Sequence, residues 1–194
     1  MTDQGRRERA DTAVRREPPL LNWANAFTML RVVLVPVIAI FVFTDGATAR
    51  WWAFAIFVFA ALTDSIDGWV ARRLIGVTRW GALADPVADK ALIIGSLTVL
   101  AINGELPWVA VAIIVIREFG VTAQRTVLVR RGVVMPASRF GKAKTVSQVA
   151  AVTLYLMPVV RGGLPDAALA TAVLLTVASG VDYALRGART AHAR

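Results

Sequence analysis

The sequence contains no cysteine and only one histidine, His192, which lies close to the C-terminus. Disulfide bonds and thiolate metal sites are therefore excluded. Any metal ion held within the chain must be bound by oxygen ligands. Such ligands favour magnesium, manganese or calcium over zinc.

Acidic residues are also scarce, with 13 Asp and Glu against 22 Lys and Arg, which gives a net charge of +9. The basic residues punctuate apolar runs and form no continuous stripe, so membrane topology explains them better than nucleic-acid binding does. A cleavable signal peptide is not expected, because residues 1–17 are charged and the first apolar run, 24–43, is too long for a signal core.

Hydrophobic residues make up 57% of the chain and the mean hydropathy is +0.60, whereas soluble domains have about 45–50% apolar residues. Long apolar runs of about 20 residues each predict an all-α integral membrane protein with about six transmembrane helices. The predicted helices lie near residues 24–43, 51–72, 81–102, 107–130, 142–160 and 165–186. Short connectors rich in turn-forming residues separate them, among them Thr44-Asp45-Gly46, Asn103-Gly104-Glu105 and Arg161-Gly162-Gly163.

The predicted organisation has three parts: a disordered basic tail at 1–19, a six-helix transmembrane domain at 20–187 and a short tail at 188–194. Because basic residues collect at alternate helix ends, the positive-inside rule predicts that both termini are cytoplasmic. No internal repeat is visible, so an inverted-repeat transporter has no support.

Four aspartates fall inside two consecutive predicted spans, although a charged residue at a bilayer centre costs at least ~2.5–3.5 kcal/mol. Asp64 and Asp67 are three residues apart on one helix, and Asp85 and Asp89 are four apart on the next. Each pair therefore shares a helix face. The two helices are antiparallel, and counting from their connecting loop puts the pairs at matching depths near the cytoplasmic end.

Four carboxylates at one level cannot all remain ionised without cations, so this arrangement predicts one or two divalent ions bridged by shared carboxylates. Gly68 and Ala71 lie on the same side of the helix as Asp64 and predict a groove for an extended ligand. Arg72 adds a cation that suits a pyrophosphate, and Lys90, directly after Asp89, is a further candidate for the same role.

The complete pattern resembles the signature of the CDP-alcohol phosphatidyltransferase family. It reads Asp64-x-x-Asp67-Gly68-x-x-Ala71-Arg72, then eight residues, then Gly81-x-x-x-Asp85-x-x-x-Asp89. This resemblance implies a CDP-diacylglycerol donor, a homodimer in the cytoplasmic membrane with its active site open to the cytoplasm, and two Mg²⁺ or Mn²⁺ ions. It implies that Asp64, Asp67, Asp85 and Asp89 bind the metals and that Asp89 is the general base. It also implies a CDP site formed by Gly68, Ala71, Arg72, Gly81, Asn25 and Thr28.

A second set of stretches resembles the bacterial branch of this family whose acceptor is glycerol 3-phosphate. The stretches are Asn22-x-x-Asn25-x-x-Thr28-x-x-Arg31, Asp85-Pro86-x-Ala88-Asp89-Lys90, Arg117-Glu118 and Gly141-Lys142-x-Lys144-Thr145-x-x-Gln148. An acceptor that is a dianion needs cations. The candidates are Arg117, Lys142, Lys144 and Arg139.

Each of these assignments has a structural alternative. Arg117 can instead pair with Glu118, the two lysines can act only in membrane topology, and Asn25 and Thr28 can cap the first helix.

Inositol phosphate, serine and phosphatidylglycerol are alternative acceptors for the same chemistry. A cation transporter that uses the acidic cluster is a remote alternative from another functional class.

Overall fold

The fold is that of a computed structural model, which describes residues 23–74, 79–130, 139–160 and 162–192 and the side chains of residues 29–63, 90–129, 141–160 and 162–187. Six α-helices and no strand occupy these ranges, which agrees with the predicted all-α class. The helices are α1 (Trp23–Phe43), α2 (Ala47–Leu74), α3 (Arg79–Ile102), α4 (Trp108–Arg130), α5 (Arg139–Leu156) and α6 (Gly163–His192). The predicted basic tail lies outside the described residues.

Three helix boundaries differ from the predicted ones by four residues or more, for identifiable reasons. Helix α5 ends at Leu156 rather than near residue 160, because Pro158 disfavours helical conformation at the residue before it. Helix α2 begins at Ala47, and α6 continues to His192 through most of the predicted C-terminal tail. The end of an apolar run marks where lipid contact is expected to stop, whereas the helical backbone continues as long as its own hydrogen bonds form.

The connectors α1–α2, α3–α4 and α5–α6 each contain a glycine with a left-handed backbone. Gly46, Gly104 and Gly162 have φ angles of 110°, 74° and 85°. This region is costly for residues that carry a Cβ, so glycine is the suitable residue at each turn. The turn positions predicted from the sequence are confirmed here.

A network of polar contacts joins the same three connectors, at what we call the glycine-turn end of the bundle. Arg50 forms an ion pair with Glu105, and its Nη2 also donates to the carbonyl of Tyr155 at 3.0 Å. The Tyr155 hydroxyl donates to Asp166 Oδ1 at 2.6 Å. An open cavity of about 640 Å³ lies among these residues. The network ties the three connectors to one another at the end of α2 and α3 opposite the aspartates.

Two groups of helices form the bundle. Helix α1 packs against α2 and α3, while α6 packs against α4 and most extensively against α5. Contacts of α3 with α4, and of α2 and α3 with α5, join the groups. The aspartate-bearing helices α2 and α3 also contact each other directly. The bundle therefore brings the acidic motif beside the helices that carry the candidate acceptor-binding cations.

Many large apolar side chains are exposed on the outside of the bundle, around a core that is also mainly apolar. Ile116, Leu174 and Val146 are each about 70% exposed, at 72%, 70% and 69%, whereas Glu118 and Lys144 are buried. Within the described part of the chain, the segment Gly163–Gly187 is long and apolar enough to cross a membrane. Contiguous exposed apolar surface marks contact with a membrane or another protein, and the prediction of six spans stays a prediction.

Candidate active site

The predicted metal site lies on the two helices that follow α1. Helix α2 continues through Asp64 and Asp67, and α3 through Asp85 and Asp89. The helical backbone gives each pair the three- or four-residue spacing that puts both members on one face. Carboxylate oxygens are a suitable donor set for Mg²⁺ or Mn²⁺. The four side chains lie outside the described ones, so the ligand geometry stays a prediction.

The residues predicted to bind the cytidine diphosphate have described backbones but no described side chains. Gly68, Ala71 and Arg72 lie on α2, one to two turns beyond Asp64. The other members of this predicted set are Gly81 on α3 and Asn25 and Thr28 on α1. Arg139, a candidate for the acceptor, is the first residue of α5.

Glu118 is the centre of a polar cluster buried between α4, α5 and α6. Lys144 Nζ of α5 donates to Glu118 Oε1, and Arg117 Nη1 donates to the same oxygen at 3.1 Å. The side chains of Lys144, Glu118 and Arg117 are only 7%, 9% and 10% exposed. Two of the four predicted acceptor-binding cations therefore meet at one carboxylate. The pairing of Arg117 with Glu118, which was the alternative structural role of this arginine, is present.

The charges of this trio do not balance. Arg117 and Lys144 carry two positive charges and Glu118 carries one negative charge, which leaves an excess of one positive charge in a buried environment. The buried Nε of Arg117 has no hydrogen-bond partner among the residues that the structure describes. Because buried charges and donors are costly unless they are paired, the trio is suited to binding an anion.

Lys90 connects this trio to the predicted metal site. It follows Asp89 directly on α3, and its Nζ donates to Thr122 Oγ1 and approaches the carbonyl oxygen of Glu118 at 3.5 Å. Thr122 Oγ1 in turn donates to that carbonyl at 2.7 Å. The sequence suggested Lys90 as a further pyrophosphate ligand. The structure shows that its ammonium group reaches α4, so α3 at Lys90 lies beside the helix that carries Arg117 and Glu118.

The two lysines at the start of α5 have different environments. Lys144 is buried, whereas Lys142 is exposed, because residues two positions apart point in nearly opposite directions on a helix. One turn further along, Gln148 Nε2 donates to Thr176 Oγ1 of α6 at 2.9 Å. The face of α5 that carries Lys144 and Gln148 is thus the one that packs into the polar interior.

Helix α6 contributes residues to which the sequence interpretation gave no role. Ser179 Oγ accepts a hydrogen bond from Arg117 Nη2, and the guanidinium carbon lies 5.7 Å from the centre of the Tyr183 ring. Thr176, Ser179 and Tyr183 are all buried. Their spacing of three and four residues on an otherwise apolar helix is the signal by which they could have been found, because buried polar residues in such helices bond to neighbouring helices.

Comparison with known proteins gives a consistent result over most of the chain. The CDP-alcohol phosphatidyltransferase family matches residues 21–178. A probable phosphatidylglycerophosphate synthase of Mycobacterium tuberculosis is 45% identical over 176 residues, which cover 88% of this chain and 83% of the relative. The CDP-diacylglycerol–glycerol-3-phosphate 3-phosphatidyltransferases of Bacillus subtilis and Rickettsia typhi are 35% and 31% identical, and each alignment covers 84% of this chain and 94% of the relative.

Proposed function

The chain belongs to the CDP-alcohol phosphatidyltransferase family, and we propose that it transfers the phosphatidyl group of CDP-diacylglycerol to glycerol 3-phosphate. The products are phosphatidylglycerophosphate and CMP. Relatives that share 31–45% of their residues with this chain are named for this activity. The observation that carries the choice of acceptor is the buried trio of Arg117, Lys144 and Glu118, whose excess positive charge lies beside the predicted metal site.

The protein acts within the cytoplasmic membrane in this proposal, with six spans and both termini in the cytoplasm. Members of this family are membrane-associated. The exposed apolar side chains of α4, α5 and α6 support lipid contact on the outside of the bundle. The active site then opens to the cytoplasm, and the glycine-turn end faces the opposite side. A homodimer remains an expectation from the family resemblance.

The donor is held by residues of α1, α2 and α3. Asp64, Asp67, Asp85 and Asp89 would bind two divalent ions, in keeping with the use of divalent cations in this family. When bound, the ions supply positive charge that neutralises the diphosphate and stabilises the departing CMP. The proposed CDP contacts come from Gly68, Ala71, Arg72 and Gly81, with Asn25 and Thr28 nearby on α1. The small residues let the nucleotide approach the backbone of α2, and Arg72 pairs with a phosphate.

The acceptor is held by the cationic residues of α4 and α5. The phosphate of glycerol 3-phosphate would bind beside the trio, where its negative charge compensates the excess positive charge. Arg117 and Lys144 would be its ligands. Arg117 Nε is a donor with no partner among the described residues. Arg139 and Lys142, at the start of α5, would extend this cationic surface towards the cytoplasm.

The reaction is a direct displacement in this proposal. The free hydroxyl of the acceptor attacks the phosphorus that carries the diacylglycerol, its bond to CMP breaks, and Asp89 accepts the hydroxyl proton. A covalent phosphatidyl-enzyme is disfavoured because the chain has no cysteine, and its single histidine is at the far C-terminus. The hydroxyl must lie between Asp89 and the trio, and Lys90 is the residue that links these two groups.

A purified-enzyme assay tests the acceptor directly. The protein is incubated with CDP-diacylglycerol and Mg²⁺ or Mn²⁺, and CMP release is measured with glycerol 3-phosphate, inositol phosphate, serine or phosphatidylglycerol. We expect turnover with glycerol 3-phosphate to exceed turnover with every other acceptor. Product with inositol phosphate and none with glycerol 3-phosphate would overturn the choice of acceptor. Cation flux in liposomes without CMP release would overturn the enzymatic assignment itself.

A further inference from the structure

Arg117 is held on α6 by three kinds of contact. Ser179 Oγ accepts a hydrogen bond from its Nη2, and the Tyr183 ring lies 5.7 Å from its guanidinium carbon. Gly180 lies between these two residues in sequence, and a Cβ added there would be 3.2 Å from Arg117 Cγ. One helical turn of α6 therefore supplies an acceptor for the guanidinium, an aromatic face and the room for its aliphatic stem.

A second close approach, seven residues further along both helices, fixes the register of α6 against α4. Gln124 Nε2 donates to the carbonyl of Tyr183 at 3.1 Å. A Cβ added at Gly187 would overlap with that same nitrogen unless the Gln124 side chain moved. At both points glycine leaves the most room for the close approach of a long α4 side chain to α6, which favours this register of the two helices. In this register Ser179 and Tyr183 lie beside Arg117.

The remaining contact of Arg117 leaves its orientation incompletely determined. Glu118 is its immediate neighbour in sequence, and the oxygen that it offers to Nη1 also accepts from Lys144. A single shared oxygen fixes one end of the planar guanidinium but not its rotation about that contact. The hydrogen bond from Nη2 to Ser179 supplies the second fixed point. With two nitrogens occupied, Nε is the guanidinium donor without a partner in the described part of the chain.

We propose that Ser179, Gly180 and Tyr183 form a seat on α6 that positions Arg117 and thereby determines the affinity for a phosphorylated acceptor. This inference rests on the proposed function, in which Arg117 binds the phosphate of the acceptor. The seat residues are positioning residues, since they contact Arg117, and Arg117 is the residue that contacts the substrate in the proposed function. Without the seat the guanidinium rotates among several orientations, and binding of the acceptor must order it again.

The test is the steady-state kinetics of Ser179→Ala, with Ser96→Ala as its matched control. Ser96 is equally buried, and its hydroxyl has no partner among the described residues. We expect Ser179→Ala to raise the KM for glycerol 3-phosphate about tenfold, the effect of losing one hydrogen bond to a charged group. The KM for CDP-diacylglycerol and kcat should stay at wild-type values. Ser179→Thr, which keeps the hydroxyl, should restore the acceptor KM, and Ser96→Ala should change neither KM.

A double variant separates positioning from a general structural effect. If Ser179 acts through Arg117, Ser179→Ala should cause no further rise in the acceptor KM of Arg117→Ala. Gly180→Ala provides an independent variant, because its Cβ displaces the Arg117 stem. It should raise the acceptor KM, whereas Gly120→Ala, which meets nothing within 4 Å, should not.

Three results would overturn the inference, and they distinguish the proposed function from the seat. A wild-type protein that makes no product with glycerol 3-phosphate refutes the proposed function, and the seat fails with it. If the wild type is active, an acceptor KM unchanged in Ser179→Ala refutes the seat alone. An equal rise in the presence and absence of Arg117 also refutes the seat alone.

Discussion

Removal of the charge of Glu118 is expected to destabilise the whole bundle. In Glu118→Gln the side chain keeps its size and an acceptor oxygen but loses its negative charge. Arg117 and Lys144 then share a buried site with no carboxylate among their described contacts. Both cations remain, so the substitution converts a partly compensated cluster into two unpaired positive charges.

The burial of the trio sets the size of the effect. The three side chains are at most 10% exposed, and removing one partner of a buried ion pair costs about 3–5 kcal/mol. In a protein of this length, 1 kcal/mol lowers the melting temperature by about 2–4 °C. We therefore expect Glu118→Gln to lower the apparent melting temperature by about 10 °C. Lys144→Met in the same background should recover part of this loss, because it removes one of the unpaired cations.

The assay is thermal unfolding of the ligand-free protein in detergent, with all variants heated at one scan rate. Asp182→Asn is the control, since it disrupts an ion pair with Arg186 whose side chains are 24% and 48% exposed. Pairs of that kind contribute about 0–1 kcal/mol, so Asp182→Asn should shift the melting temperature by less than about 4 °C. An equally small shift in Glu118→Gln would refute the reasoning that the cluster is buried and held together by that carboxylate.

Four further outcomes are expected. Arg117→Ala should raise the KM for glycerol 3-phosphate by roughly tenfold or more while sparing the KM for CDP-diacylglycerol. Arg125→Ala, an exposed position on the same helix, should change neither, and an unchanged KM in Arg117→Ala would leave that arginine only a structural role. Asp89→Asn should abolish turnover while CDP-diacylglycerol still binds; wild-type turnover in this variant would refute the general-base assignment. Chelation should stop CMP release, and added Mg²⁺ or Mn²⁺ should restore it; activity that persists after full chelation would contradict the metal site. Arg50→Met should lower the melting temperature without changing either KM, because Arg50 ties the connectors together at the glycine-turn end; a raised KM would show that the two ends are coupled.

The order and approximate limits of the helices could be predicted because they depend on local features. Apolar runs and the turn glycines Gly46, Gly104 and Gly162 mark six helices and three connectors, and the structure has them at those places. The predicted helix limits were wrong where the helix extends beyond the apolar run, as at Ala47 and His192. The end of α5 was predicted near residue 160 because the apolar run continues past Pro158, although this proline could have indicated the earlier end.

The acidic motif is likewise readable from the sequence, since a spacing of three or four residues on a helix has a definite geometric meaning. Asp64, Asp67, Asp85 and Asp89 needed no tertiary information to be grouped, and all four lie within residues 21–178, the part of the chain that the family matches. The basic residues were different, because Arg and Lys occur at helix ends for topology as well as for binding. Lys142 and Lys144 looked equivalent in the sequence, and one is exposed while the other is buried.

The amino-acid sequence by itself determined the helices, their connectors and the carboxylate motif, because each arises from spacing within one or two neighbouring elements. Tertiary structure decided which cations face the interior and what holds them. Ser179 bonds to Arg117 across 62 residues, and Gln148 to Thr176 across 28. Helical periodicity says which residues share a face, but it does not say which neighbour that face meets. That choice depends on how six helices pack together. In this protein the packing brings basic and hydroxyl residues that are far apart in the sequence into one buried cluster.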